Sequence, residues 1–153
     1  MILNGDYTIQ DLTLILRENS EEYFAQLKSP IMGVESLIAY LDSAMFNSNQ
    51  ESFGVVYLDN RHHPTKLEVL FKGTVDQSVV YTREIIKGIV LNGASAIIIT
   101  HNHPGGSNKP SVDDDKITKE IQAAVKTIDV RLLDHIIIGR PGDHYSYKEH
   151  GKL

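Results

Sequence analysis

The sequence predicts an α/β sandwich, a mixed sheet flanked by helices. Three observations carry that prediction. Residues 52–59 and 66–72 are two segments rich in β-branched and aromatic side chains around a turn. Residues 96–99, Ala-Ile-Ile-Ile, form a short unbroken apolar run of the kind buried on both sheet faces. Helical apolar stripes stand before and after that run. With 153 residues, 41% hydrophobic and 23% charged, the chain has room for one domain with a real core and none for a second of full size.

Taken in order, the elements begin with an N-terminal helical extension over residues 1–28, where Ile9, Leu12, Ile15 and Leu16 recur at helical spacing before a polar stretch. Such an extension suits docking to a partner or a second copy. The main domain, residues 29–153, opens at Ser29-Pro30. Val34, Leu37, Ile38, Leu41 and Met45 then mark an amphipathic helix that stops at Asn47-Ser48-Asn49-Gln50. The first strand, residues 52–59, closes on the turn Asp59-Asn60-Arg61. Leu67, Val69 and Phe71 alternate with Lys66, Glu68, Leu70 and Lys72 in the second strand, completing an antiparallel hairpin. Ile85, Ile86, Ile89 and Val90 predict a helix over 82–92, ended by Asn92-Gly93. After the strand at 96–99 comes a loop over 101–110. A helix then runs from Ser111 to about Thr127, with Ile117, Ile121, Ala124 and Val125 on its apolar side. Residues 130–138 supply another strand and 144–147 a last one.

Composition narrows the chemistry. The chain has no Cys, which removes disulfides, Cys-based zinc fingers, iron–sulfur clusters and thiol nucleophiles. Its 15 basic residues against 20 acidic give a net charge of -5, the wrong sign for gripping phosphate backbones, so direct nucleic-acid binding is not expected. No apolar run approaches the roughly 18 residues of a membrane span. The N-terminus lacks the basic and apolar regions of a signal peptide, and the expectation is a cytoplasmic protein. The seven His stand out, because imidazoles and carboxylates are then the only good transition-metal ligands available.

The loop after the buried run reads Thr100-His101-Asn102-His103-Pro104-Gly105-Gly106, and the next helix opens at Ser111-Val112-Asp113-Asp114. His101 and His103 are two residues apart, so persistence of the strand past Thr100 points their rings to one face. The Pro-Gly-Gly turn brings Asp114, in the helix's first turn, back beside them. Two imidazoles and one carboxylate leave a fourth tetrahedral position for water, the arrangement of a catalytic zinc site; Fe(II), Co(II) and Mn(II) are alternatives. Ser111 and Asp114 also make a good helix N-terminus by themselves. The two roles are compatible, since capping would hold Asp114 in place and orient the Ser111 hydroxyl. The joint pattern H-x-H-x7-S-x2-D should arise by accident in roughly one chain in several hundred of this composition.

At these residues the chain resembles the RadC family, a group of JAB/MPN-type proteins that carry this JAMM motif. The resemblance extends from about Ser29 to the C-terminus. It includes Gln50-Glu51-Ser52-Phe53, Leu58-Asp59-Asn60, Phe71-Lys72-Gly73-Thr74, Arg83-Glu84-Ile85, His101-Asn102-His103-Pro104, Pro110-Ser111 and Asp134-His135-Ile136-Ile137-Ile138-Gly139. It implies a cytidine-deaminase-like fold, one zinc on His101, His103 and Asp114, and Glu51 as general acid/base. Ser111 would donate to the oxyanion of a tetrahedral intermediate. The implied chemistry is zinc-dependent hydrolysis of a peptide or isopeptide bond in a protein substrate. Deaminases of this fold class need P-C-x-x-C, which a chain without Cys cannot supply. Residues 1–28 are too short and too acidic for the helix-hairpin-helix region usual in the family. Gly105 stands where Ser is usual and Thr82 where Pro is common.

Other polar residues read as structural. His135 lies inside an apolar strand and is expected to serve as a hydrogen-bonding core residue, with Asp134 beside it. His62 and His63 fall in the hairpin turn facing solvent, and His144 and His150 lie near a terminus expected to fray. The competing functional reading is a non-catalytic interaction module attached to DNA repair or replication machinery. An open metal site favours the enzyme, because a scaffold has no physical need of one.

Overall fold

The first two strands, β1 (Ser52–Leu58) and β2 (Pro64–Lys72), form an antiparallel hairpin. In the computed structural model, which describes residues 49–73, 78–140 and 142–153 together with Ile38 and Leu41, three more strands and two helices follow. Helix α1 (Ser78–Asn92) leads to β3 (Ala96–Asn102), helix α2 (Val112–Lys126) to β4 (Arg131–Ile138), and the hairpin strand β5 (His144–Ser146) comes last. The sheet order is β2-β1-β3-β4-β5. Among the described strands only the β3–β4 pair is parallel, as expected where α2 crosses over between two strands. The predicted α/β sandwich with a mixed sheet is the observed fold, and no helix among the described residues is long and apolar enough to cross a membrane. The extension over residues 1–28 and most of the predicted helix at 34–45 lie outside the described residues.

Strand alternation divides the core in two. Val56, Leu58, Ala96, Ile98, Ile136 and Ile138 pack on one face with Ile38 and Leu41, which are helical and buried. Phe53, Val55, Tyr57, Ile97 and Ile99 pack on the other, under Ile85 and Ile89 of α1 and Ile121 and Val125 of α2. His101 follows Ile97 and Ile99 at period two, so it faces the α2 side. A register shift beside Ile98 pairs Ile97 with Leu132 and Ile98 with Asp134, skipping Leu133. That bulge decides which face each following residue takes, putting His135 on the α2 side and Asp134 on the other.

Several details differ from the sequence-based expectation. Strand β3 continues through Asn102, so His101 belongs to the strand and the loop starts later. Helix α1 starts at Ser78 instead of 82. Strand β2 begins at Pro64, which is buried, and the expected alternation of Leu67, Val69 and Phe71 is broken by a bulge. Phe53 pairs with Phe71 but Gly54 with Val69, and the skipped Leu70 joins Phe71 against the α-side core while Leu67 packs on the opposite face. His62 and His63 are half-buried: His63 contacts Asp59 at 3.2 Å and His62 lies 2.8 Å from Arg131. The segment over 147–153, expected to fray, is packed against the domain. Tyr147 is 2% exposed, its hydroxyl donates to Asp115 at 2.8 Å, Lys152 pairs with Asp115 at 2.9 Å, and Leu153 packs against the core.

Candidate metal centre

The site is built where the carboxyl end of β3 meets the amino end of α2. His101 is buried at the end of β3, and its neighbour Asn102 ties that end to the segment before β1. Asn102 Oδ1 accepts from the Ser52 amide at 2.6 Å and its Nδ2 donates to the Gln50 carbonyl at 3.1 Å. Between those two anchors sits Glu51, whose carbonyl accepts from the Gly73 amide at 2.6 Å. The backbone of Glu51 is thereby fixed although its side chain is exposed. Nothing in the sequence pattern singled out Asn102, because its partners lie 50 and 52 residues away.

As His103 leaves the strand its backbone amide donates a hydrogen bond to the Ile138 carbonyl at 2.9 Å, and its Nδ1 donates to the Ser107 carbonyl at 2.8 Å. A carbonyl only accepts, so the proton of a neutral His103 resides on Nδ1 and its Nε2 lone pair is outward. The loop turns at Gly106, whose φ of 82° suits glycine and whose amide closes on the His103 carbonyl at 2.9 Å. Asn108 pins the far side of this loop to Asp143 at 2.6 Å and to the His144 carbonyl at 3.0 Å.

Ser111 caps α2 with a reciprocal box. Its Oγ accepts from the Asp114 amide at 3.1 Å, and the Asp114 carboxylate accepts from the Ser111 amide at 2.7 Å. This fixes the Asp114 side chain against the histidines. Asp114 Oδ1 is 3.1 Å from His101 Nε2 and Oδ2 is 3.5 Å from His103 Nε2, while the two Nε2 atoms are 2.8 Å apart. Ligand atoms of Glu51, His101 and His103 all lie within 4.8 Å of one another, and this group can hold a metal ion. The structure therefore brings Glu51, His101, His103, Ser111 and Asp114 to one locus. Asp113 and Asp115 are not in it; Asp115 serves the C-terminal tail instead.

The electrostatics suit a cation. Burial alone would raise the Asp114 carboxyl, but the His101 and His103 imidazoles beside it and the hydrogen bond from the Ser111 amide outweigh it and hold the group far below the usual carboxylate range. The adjacent Asp114 carboxylate raises His103, against burial. Two ring nitrogens at 2.8 Å beside a carboxylate need something positive between them, either a proton or a metal.

Two further residues, His135 and Thr118, stand next to this locus. His135 Nε2 lies 2.9 Å from His101 Nδ1, and His135 Nδ1 lies 2.6 Å from the Thr118 hydroxyl. His135 is thus a hydrogen-bonding core residue, as expected, but one that touches His101. Burial drives its imidazole well below the ordinary value. Asp134 is not its side-chain partner. It lies on the other face, where its carboxylate accepts from the Ser146 hydroxyl and from the Lys148 and His135 amides, and burial pushes it up. A signal for Thr118 was present in its i, i+4 spacing from Asp114; His135 depends on the register of β4 against β3, which one sequence does not disclose.

A family model described as a RadC-like JAB domain matches residues 31–152. Among similar proteins, the UPF0758 protein PM1152 of Pasteurella multocida is 38% identical over 139 residues, covering 89% of this chain and 62% of the relative. The UPF0758 protein VSAL_I0192 of Aliivibrio salmonicida is 46% identical over 112 residues, 73% of this chain and 50% of that protein. The UPF0758 protein NTHI1125 of Haemophilus influenzae is 41% identical, with 88% and 62% covered. The chain thus spans between 50% and 62% of the length of these relatives.

Proposed function

Because the chain belongs to the RadC-like JAB domain family, we propose that it is a zinc-dependent metallohydrolase that cleaves an amide, peptide or isopeptide bond in a protein substrate. The observation that carries this reading is the convergence of two imidazole Nε2 atoms, 2.8 Å apart, on the Asp114 carboxylate. His101, His103 and Asp114 would hold the ion. The donor set fits: two neutral nitrogens and one carboxylate suit zinc and leave a position open. A bound zinc supplies Lewis acidity that makes water nucleophilic near pH ~7.

The remaining steps belong to side chains. Glu51 is exposed, and a carboxylate oxygen of it lies within 4.8 Å of ring nitrogens of both histidines, within reach of a water held between them. Its carboxylate would take the proton of the attacking water and pass one to the leaving amine. In the Ser111 cap the oxygen lone pair is used, which leaves the hydroxyl hydrogen to donate to the oxyanion that develops on the scissile carbonyl. Action on a protein substrate without direct contact to nucleic acid accords with the net charge of -5.

Metal analysis of protein purified without chelator tests the site. About one zinc per chain is expected, lost in Asp114→Ala; a metal-free chain with an intact fold would remove the assignment. Glu51→Gln should keep its zinc and lose about 10²–10⁴-fold in turnover across a panel of fluorogenic peptide and isopeptide-linked substrates. Unaltered turnover would take Glu51 out of its role. Zinc without turnover on any probe, combined with capture of a replication or repair protein, would favour the interaction-module reading.

A further inference from the structure

The Thr118 hydroxyl lies 2.6 Å from the Asp114 carbonyl oxygen and 2.6 Å from His135 Nδ1. A carbonyl carries no hydrogen, so an O···O approach of this length places the single hydroxyl hydrogen of Thr118 on Asp114. The Thr118 oxygen is left to accept, and His135 Nδ1 must then be the protonated nitrogen. His135 is fully buried, with its ring stacked on Tyr147 at 4.8 Å and Phe53 edge-on at 6.4 Å. No carboxylate oxygen touches its ring in the described structure, so a second proton there would be an unpaired buried charge. Its Nε2 is therefore an acceptor. The atom facing it, 2.9 Å away, is His101 Nδ1, which must donate. His101 is left with Nε2 as the nitrogen that faces His103 and Asp114.

From this donor and acceptor order we infer that Thr118 and His135 are positioning residues that hold the proton of His101 on Nδ1 and so present its Nε2 as a metal ligand. The relay runs from the main chain of one ligand residue, Asp114, to the ring of another, His101, through two side chains that are themselves 2% and 0% exposed. Ser107 performs the same task for His103 in one step. General chemistry supports the role: a ligating imidazole is oriented by what its second nitrogen donates to, and loss of such a partner costs about 10–100-fold in metal affinity. The inference rests on the metal-centre reading above and goes beyond it in naming what prepares the ligand.

The test uses the full chain and changes Thr118, whose side chain is apart from every proposed ligand side chain. Thr118→Val keeps the shape and removes the hydroxyl, and Thr118→Ser restores it. In the metal-free, folded protein at about pH 8, above the ordinary imidazole range, nitrogen-15 NMR of the His rings should find His101 Nδ1 protonated in the wild type and in Thr118→Ser. Thr118→Val should shift that proton to Nε2 in a measurable fraction. Zinc affinity by chelator competition should fall about 10–100-fold in Thr118→Val and recover in Thr118→Ser. A folded Thr118→Val with the wild-type tautomer and wild-type affinity overturns the relay and leaves the metal centre standing. A wild-type chain that takes up no zinc overturns both, whatever its tautomer.

Discussion

Ser111 has a structural role as a helix cap and, in the proposed function, a chemical one, and the two can be separated. As the cap of α2 it satisfies the Asp114 amide and receives the Asp114 carboxylate on its own amide. Replacing a Ser cap by Gly costs only a few tenths of a kcal/mol, roughly, whereas Ala costs about 1 kcal/mol. Loss of an oxyanion donor costs about 10²–10³ in kcat. Ser111→Gly is therefore expected to melt within a few degrees of the wild type while losing most of its turnover; turnover retained in a stable Ser111→Gly would leave the residue as a cap alone. Most of this residue-scale chemistry was legible. His101, His103, Ser111 and Asp114 are close in sequence, and the strand-turn-helix between them is short enough for local geometry to bring them together. His135 was legible only as a polar residue in an apolar strand, and what it contacts depends on a bulge at Leu133.

At the scale of elements, α1 packs closely on β1 at Gly88. A Cβ placed on Gly88 would lie 1.8 Å from the Tyr57 hydroxyl oxygen, so α1 rests on β1 only because residue 88 has no side chain. Gly88→Ala gains helix propensity but must displace a buried Tyr ring, and a net loss of about 1–3 kcal/mol is expected from overpacking. Urea denaturation checks it, and an unchanged midpoint would mean that α1 shifts freely. The Tyr57 hydroxyl has no hydrogen-bond partner among the described residues, and burial, with Glu68 and Glu84 nearby, pushes its pKa up. Tyr57→Phe removes that unpaired group and should raise stability by about 1 kcal/mol, read from the same titration. Neither effect is visible in the sequence. Gly88 sits inside a helical stripe where glycine looks merely tolerated, because the neighbour that requires it is 31 residues away.

For the molecule as a whole, the C-terminal tail closes the domain over the site's rear wall. Tyr147 stacks on His135, and Asp115, one residue beyond Asp114, receives both the Tyr147 hydroxyl and the Lys152 ammonium. The Lys152 hydrogen bond, then that of Tyr147, holds the Asp115 carboxyl below its ordinary 3.8. Its folded value lies below its unfolded one, so the unfolded chain binds more protons in between. The contribution is fully present above pH 3.8 and is lost as pH falls through the depressed folded value. Asp115→Asn should lower stability near neutrality and flatten the acid limb of the stability curve, with the two proteins converging in acid; parallel curves would deny the pair any role. Being half-exposed, the pair should also weaken in high salt. What the sequence alone determined was the set of elements, the absence of thiol chemistry, and the H-x-H-x7-S-x2-D cluster, because periodicity, composition and short-range spacing are local properties. Tertiary structure decided everything that depends on register and long-range approach. It extended β3 far enough to include His101 and brought Asn102 back to hold Glu51. By skipping Leu133 it also turned His135 towards His101 instead of away, since a shift of one residue in a strand exchanges its two faces.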